Sequence, residues 1–217
     1  MNLPLIQSNI ARACKAVGRE ADAAALVAVS KNQTAQTIRP MLQAGQHRFG
    51  ENRIQDALEK WPPLRAEFPN VELHFIGQLQ SNKAKDAVAL FDVIHTLDRV
   101  SLAEALQKEM QKQNRMLPCF IQVNTGAEPQ KGGIAPADLD DFYRFCREEA
   151  GLNIKGLMCI PPAEDVPDLH FALLHKLAAD LGLPELSMGM SADYETAIRY
   201  GATYVRIGSV LFDVMKT

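Results

Sequence analysis

Short runs of apolar and β-branched residues alternate with longer stretches of helical period along nearly the whole chain. The first stretch is helical: Ile6, Ile10, Ala13 and Val17 recur at steps of four, three and four, one face of an amphipathic helix ending near Gly18. Because it precedes the first strand, it is expected to form a lid over one end of the core. From Leu26 onward eight strand-like runs follow, at residues 26–30, 47–50, 72–77, 93–97, 119–124, 154–160, 186–190 and 204–208. Helical patterns lie between them at 52–61, 82–90, 102–114, 137–149, 167–181 and 194–200, several behind good N-cap residues such as Ser81, Ser101, Asp165 and Ser191. Eight β-then-α units in 217 residues predict an α/β protein, a single (β/α)8 TIM-type barrel with an extra N-terminal helix. An open, doubly wound sheet has the same periodicity and is the alternative. Pro40 requires the helix around it to be short or kinked, and the second strand is only about four residues long. No internal repeat or Pro/Gly/Ser-rich linker marks a second domain, so residues 1–217 are read as one domain.

Composition narrows the function classes. Hydrophobic residues make up 47% and charged residues 23%, the values of a soluble globular protein. With 23 basic and 26 acidic residues the formal charge is -3, and no basic field is present to attract a nucleic-acid backbone. The segment Met1-Asn2-Leu3-Pro4-Leu5-Ile6-Gln7 has neither the positive leader nor the apolar stretch of a secretory signal, and no run is long enough to span a bilayer. A cytoplasmic protein away from membranes is expected, and with no exposed apolar stripe in the pattern, a monomer. Cys14, Cys119, Cys146 and Cys159 are scattered without a C-x-x-C pair, which argues against disulfides and zinc and reads as buried thiols.

Candidate chemistry gathers where strands end. The run Leu26 to Ser30 stops on Lys31, and an amine at the end of a strand walled in by apolar neighbours is a candidate nucleophile toward an aldehyde. Lysines also cap strand ends on ordinary surfaces, so the rest of the rim decides. In a barrel the working residues sit at the C-terminal ends of the strands. That rule collects Lys31, then Gly50 to Arg53 with Asn52, Gly77 to Asn82, Asn124 ahead of a Gly-rich loop holding Lys131, Met188 to Ser191, and Arg206, Gly208 and Ser209. Ser191 opens a helical stretch after the seventh strand, while Gly208 and Ser209 follow the eighth. Each alone is explained by a helix cap or a chain turn; as a pair on adjacent strands they make a phosphate site an equal reading. The histidines lie at strand starts, mid-strand or in a helical stretch, and Glu51 and Asp193 stand in first turns of helices, where an acid is expected for dipole reasons. Neither a Ser-His-Asp order, a P-loop nor H-E-x-x-H is present. A strand-end lysine, an anion cradle, an arginine and an amide suit a phosphorylated aldehyde: pyridoxal 5′-phosphate, or a sugar phosphate on a Schiff-base aldolase.

The motifs Val29-Ser30-Lys31, Phe49-Gly50-Glu51-Asn52-Arg53, His74-Phe75-Ile76-Gly77 continuing to Gln80-Ser81-Asn82-Lys83, Gly156-Leu157-Met158, Leu186 to Ser191 and Val205-Arg206-Ile207-Gly208 closely resemble those of the pyridoxal phosphate homeostasis proteins. The resemblance runs from Leu26 to Phe212 and implies a barrel similar to the N-terminal domain of alanine racemase. It further implies that Lys31 carries pyridoxal phosphate as a Schiff base, that Ser191, Gly208 and Ser209 hold the phosphate, and that Arg206 faces the pyridine nitrogen, with Asn52 beside them. An arginine there would leave that nitrogen unprotonated and the ring a weaker electron sink. The implied role is non-catalytic: carriage and regulation of the free cofactor in intracellular PLP homeostasis, with apo PLP-dependent enzymes as acceptors. Three positions depart from the family pattern, namely Asn32-Gln33 after the lysine, Gln78, and Asp213-Val214. The enzymatic alternative is a PLP-dependent amino-acid racemase or a Schiff-base aldolase. A racemase needs acid/base groups on both faces of its substrate, and the chain ends at Thr217 with no further domain expected to supply the second. Lys131 is the candidate for a second, transient cofactor site.

Overall fold

The computed structural model describes residues 2–128 and 130–212. Among them eight parallel strands close into a barrel in chain order: β1 (Ala25–Val29), β2 (Arg48–Glu51), β3 (Glu72–Phe75), β4 (Val93–Leu97), β5 (Pro118–Gln122), β6 (Asn153–Met158), β7 (Glu185–Ser187) and β8 (Tyr204–Ile207). The ring is closed by β1 on β8, with Leu26 opposite Val205, Val27 opposite Arg206 and Ala28 opposite Ile207. The open doubly wound sheet is thereby excluded.

The described helices are α1 (Leu3–Ala16), α2 (Ala35–Gln43), α3 (Ile54–Glu67), α4 (Ala84–Leu90), α5 (Val100–Gln113), α6 (Leu139–Arg144), α7 (Pro167–Asp180), α8 (Tyr194–Arg199) and α9 (Ser209–Phe212). The N-terminal helix is not a lid over a barrel end. It packs alongside α8, where Asn9 Nδ2 donates to Tyr194 Oη over 3.3 Å and Arg19, just past the helix, reaches the carbonyls of Ile198 and Ala202. Its buried face is Leu3, Ile6, Ile10, Ala13 and Cys14, and Val17 falls outside the helix. Pro40 lies inside α2, which is short at nine residues.

Two expectations about helix boundaries are corrected. The third helix runs through Pro62 and Pro63 to Glu67, because the wholly buried Trp61 and Leu64 hold the turns on either side of the prolines against the core. None of Ser81, Ser101, Asp165 and Ser191 is the N-cap of an α-helix. Ser81 opens a 3-10 turn, Ser101 lies within α5, and Val166 and Asp193 cap α7 and α8. These helices start where each strand's exit geometry places them, so a nearby hydroxyl or carboxylate did not set the boundary.

Side-chain alternation divides the apolar residues into two sets. Leu73, Phe75, Ile94, Cys119, Ile121, Leu157, Leu186, Val205 and Ile207 pack with the helices in the main core. Their neighbours in sequence point inward, where Val93, Phe120 and Met158 form a small cluster with Ile160 and Tyr204. The four cysteines are free and buried, and burial pushes the thiols of Cys119, Cys146 and Cys159 up to about 12.

Candidate functional site

Strand β1 delivers Val29 to the rim, Ser30 remains wholly buried, and Lys31 emerges exposed. The strand is walled in as expected, but Lys31 itself lies beyond that wall and is exposed. Asn32 adopts φ 62°, a left-handed conformation that asparagine tolerates better than most side chains, so its departure from the family pattern suits this turn.

A buried polar cluster holds that turn. Lys60, from α3, donates to the carbonyls of Ser30 over 2.8 Å and Gln33 over 3.2 Å. The same ammonium lies 2.8 Å from Glu51 Oε1, which also accepts from Ser30 Oγ at 2.5 Å and Trp61 Nε1 at 3.0 Å. Glu51 is thus a buried anchor at the end of β2 and not a first-turn acid serving the helix dipole. Its Oε2 has no protein partner among the described residues, which leaves Lys60 as the counter-charge.

Across the mouth, Gly189 takes φ 90°, and its carbonyl accepts from the Arg206 amide at 2.9 Å. Asp193 Oδ1 accepts from the Met190 amide at 2.6 Å and fixes the turn carrying Ser191, which sits two residues ahead of that helix cap. Gly208 directly precedes α9, and Ser209 Oγ lies 3.4 Å from Ser191 Oγ. Only the second half of the expected cradle is therefore a helix start. Arg206 is buried; its Nη1 donates to Ser187 Oγ at 2.7 Å and its Nη2 to the Cys159 carbonyl at 2.9 Å. Burial lowers its pKa, opposed by the Cys159 thiol and the Asp193 carboxylate.

Lys31, Asn52, Ser191, Arg206, Gly208 and Ser209 all line one cavity of about 650 Å³ at the C-terminal mouth. Its other walls include Val29, Ile76, Gln78, Gln122, Lys131, Ile160 and Met190. Gly77 is required at this wall because a Cβ there would lie 2.1 Å from the Asn52 carbonyl oxygen. Lys131 is paired with Glu128 at 2.6 Å and Lys60 with Glu51, whereas Lys31 carries no ion pair among the described residues. No histidine, aspartate, glutamate, tyrosine or cysteine lines this cavity among the described residues. Nor do they include a group of three or more such ligands placed to hold a metal ion. The arrangement offers two lysine amines, that of Lys131 paired with Glu128, a fixed guanidinium and a pair of hydroxyls, without a lining carboxylate or imidazole among the described residues.

Sequence reasoning missed the Glu51–Lys60–Trp61 anchor and the polar run behind Arg206. The one available signal was alternation: His74 and His95 sit at inward positions of β3 and β4, between residues of the helix-facing core.

A model of the family described as "Alanine racemase, N-terminal domain" matches residues 1–215. The "Pyridoxal phosphate homeostasis protein" of Aquifex aeolicus is 39% identical over 223 residues, 99% of this chain and 97% of the relative. That of Pseudomonas aeruginosa is 40% identical over 216 residues, 97% and 93% of the two chains. The solved structure of PipY from Synechococcus elongatus "with PLP bound" superposes with a TM-score of 0.83 at 37% identity, over 94% of this chain and 99% of that one. With these full-length likenesses added to the closed barrel and its rim, the chain belongs to the pyridoxal phosphate homeostasis proteins, within the alanine racemase N-terminal domain family.

Proposed function

We propose that this protein binds pyridoxal 5′-phosphate reversibly through Lys31 and takes part in intracellular PLP homeostasis, without robust catalysis of its own. One observation carries the reading: among the described residues a single cavity joins an amine without an ion pair, a buried guanidinium and facing hydroxyls, with no lining carboxylate or imidazole. Bound there, the cofactor supplies an aldehyde that a primary amine captures with loss of water. The donor set fits such a group. Lys31 would take the aldehyde end, and Ser191, Ser209 and the Gly208 turn the phosphate. Arg206, held as a donor by Ser187 and Cys159, would face the ring nitrogen, and Asn52 would close the wall on the β2 side.

With no carboxylate, imidazole or phenol lining the cavity among the described residues, carriage is favoured over turnover, since amino-acid racemisation requires proton transfer on both faces. The unit of binding is the whole barrel, residues 1–217, acting as a monomer in the cytoplasm. No described helix is long and apolar enough to cross a membrane. Apo PLP-dependent enzymes are the acceptors in this reading, and Lys131, across the same cavity, would serve only in transit.

The test is borohydride reduction of the protein with added pyridoxal phosphate, followed by peptide mapping and the absorption spectrum. A single reduced adduct on Lys31, lost in Lys31→Ala and kept in Lys131→Ala, is expected. An adduct spread over surface lysines would overturn the reading. Turnover of alanine, serine or a sugar phosphate well above a Lys31→Ala control would replace it with an enzyme.

A further inference from the structure

Barrel interiors are ordinarily filled by bulky branched side chains. Here the middle of the barrel carries His74, His95, Ser187 and Arg206, all buried. They form a continuous run from β8 through β7 and β4 to β3. Arg206 Nη1 lies 2.7 Å from Ser187 Oγ, Ser187 Oγ lies 2.8 Å from His95 Nδ1, and His95 Nε2 lies 2.8 Å from His74 Nδ1. His74 Nε2 then has Glu72 Oε1 at 2.8 Å, off the axis of the ring N–H, and no other partner among the described residues. Glu72 is half-exposed and lines a separate cavity of about 310 Å³ with Asp92, Lys155, Glu185 and Tyr204 at the N-terminal end of the strands. The run thus spans the barrel from one mouth to the other.

Guanidinium nitrogens only donate and an ionised carboxylate only accepts, so the arrangement that suits both ends has Arg206 donating to Ser187, the Ser187 hydroxyl to His95 Nδ1, His95 Nε2–H to His74 Nδ1, and the remaining His74 proton on Nε2, the nitrogen near Glu72. The surroundings agree. Burial, then His74, then Arg206 hold His95 well below its usual pKa. The His74 contact heads the causes that lower Glu72. Arg48 stands 3.5 Å from Glu72, and the Tyr204 ring lies 5.7 Å from His74 and 6.0 Å from His95, with Phe120 stacked on His95 at 4.5 Å. At the Arg206 end, Cys159 and Asp193 act on the guanidinium, and Lys31 and Lys131 line the same cavity.

We propose that Glu72, His74, His95 and Ser187 are positioning residues for the cofactor, an ordered hydrogen-bond run that couples the acid-lined N-terminal mouth to the Arg206 guanidinium. Changing the acceptor at the Glu72 end alters which nitrogen of His74 carries the proton, and through His95 and Ser187 it alters how Arg206 is held. The inference rests on the placement of Arg206 at the ring nitrogen.

The test has two arms. In the cofactor-free protein, nitrogen NMR of the imidazoles is expected to show His74 and His95 each as a single Nε2–H tautomer near neutral pH, with His74 losing that preference in Glu72→Gln. Two mixed tautomers, or no response to Glu72→Gln, would overturn the ordered run. In the loaded protein, Glu72→Gln is expected to shift the pH midpoint of the visible band, Glu72→Asp to restore it, and Ser187→Ala to abolish the shift. A shift of equal size in the Ser187→Ala background would mean a long-range field and would overturn the coupling, as would the absence of any shift. Failure of the parent protein to load at Lys31 would instead sink the cavity assignment and with it the cofactor end of the inference, while the cofactor-free arm still decides the run itself.

Discussion

At the scale of single residues, the site depends on a charge pair that does not touch the cavity. Glu51 is wholly buried and Lys60 nearly so, with side-chain exposures of 0% and 10%. Removing one partner of such a pair leaves an uncompensated buried charge, which costs about 3–5 kcal/mol. Lys60→Ala is therefore expected to lower unfolding stability by about 3 kcal/mol or more in urea titration, and Glu51→Gln in that background to recover part of it. A loss below about 1 kcal/mol would mean that the carboxylate is not held as an anion by Lys60. The same variant frees the Ser30 and Gln33 carbonyls, so slower loading at Lys31 should accompany the loss. Lys31 itself was legible because an apolar run ending on a lysine is a local pattern. Glu51 was not, because an acid just before a helix has a sufficient local explanation and its burial depends on Trp61 and Lys60 arriving from the following helix.

At the scale of elements, α3 is under internal conflict. Pro62 and Pro63 stand in its interior, each removing an amide donor and crowding the carbonyl four residues earlier. Such a proline costs about 3 kcal/mol, offset by about 0.4–1 kcal/mol of lost freedom in the unfolded chain. Pro63→Ala is accordingly expected to raise stability by about 2 kcal/mol, read from the denaturation midpoint at unchanged m-value. A destabilised variant would show that the proline ring itself packs something essential. Proline is the strongest local signal for ending a helix, so the sequence pattern stops α3 at Trp61. Two buried anchors flanking the prolines override it, because burying Trp61 and Leu64 outweighs two lost amide bonds.

At the scale of the whole molecule, the polar interior links stability to pH. His95 is buried with its pKa held down, so below about 6.5 the unfolded chain binds a proton that the folded one refuses. Stability should be flat above that pH and fall below it by up to about 1.4 kcal/mol per pH unit from this group. Glu72, also lowered, begins to add to the loss only near its ordinary carboxylate range. Urea midpoints measured at pH 7.5, 6.5 and 5.5 check this, and a curve level across that range would show that the folded barrel accepts the proton. Asp213 and Val214, the remaining departures from the family pattern, lie outside the described residues. The closed barrel and its rim were determined by the sequence itself, since period-two and period-3.6 patterns are local and eight repeats of them admit few topologies. So was the gathering of the six candidate residues along one cavity, because strand ends in a barrel converge on one mouth. The exposure of Lys31, the burial of Glu51 and the run from Glu72 to Arg206 were decided only by tertiary structure. Alternation says which side chains point inward, but only the registers β1 to β8 adopt on closing bring His74, His95, Ser187 and Arg206 within hydrogen-bond reach of one another.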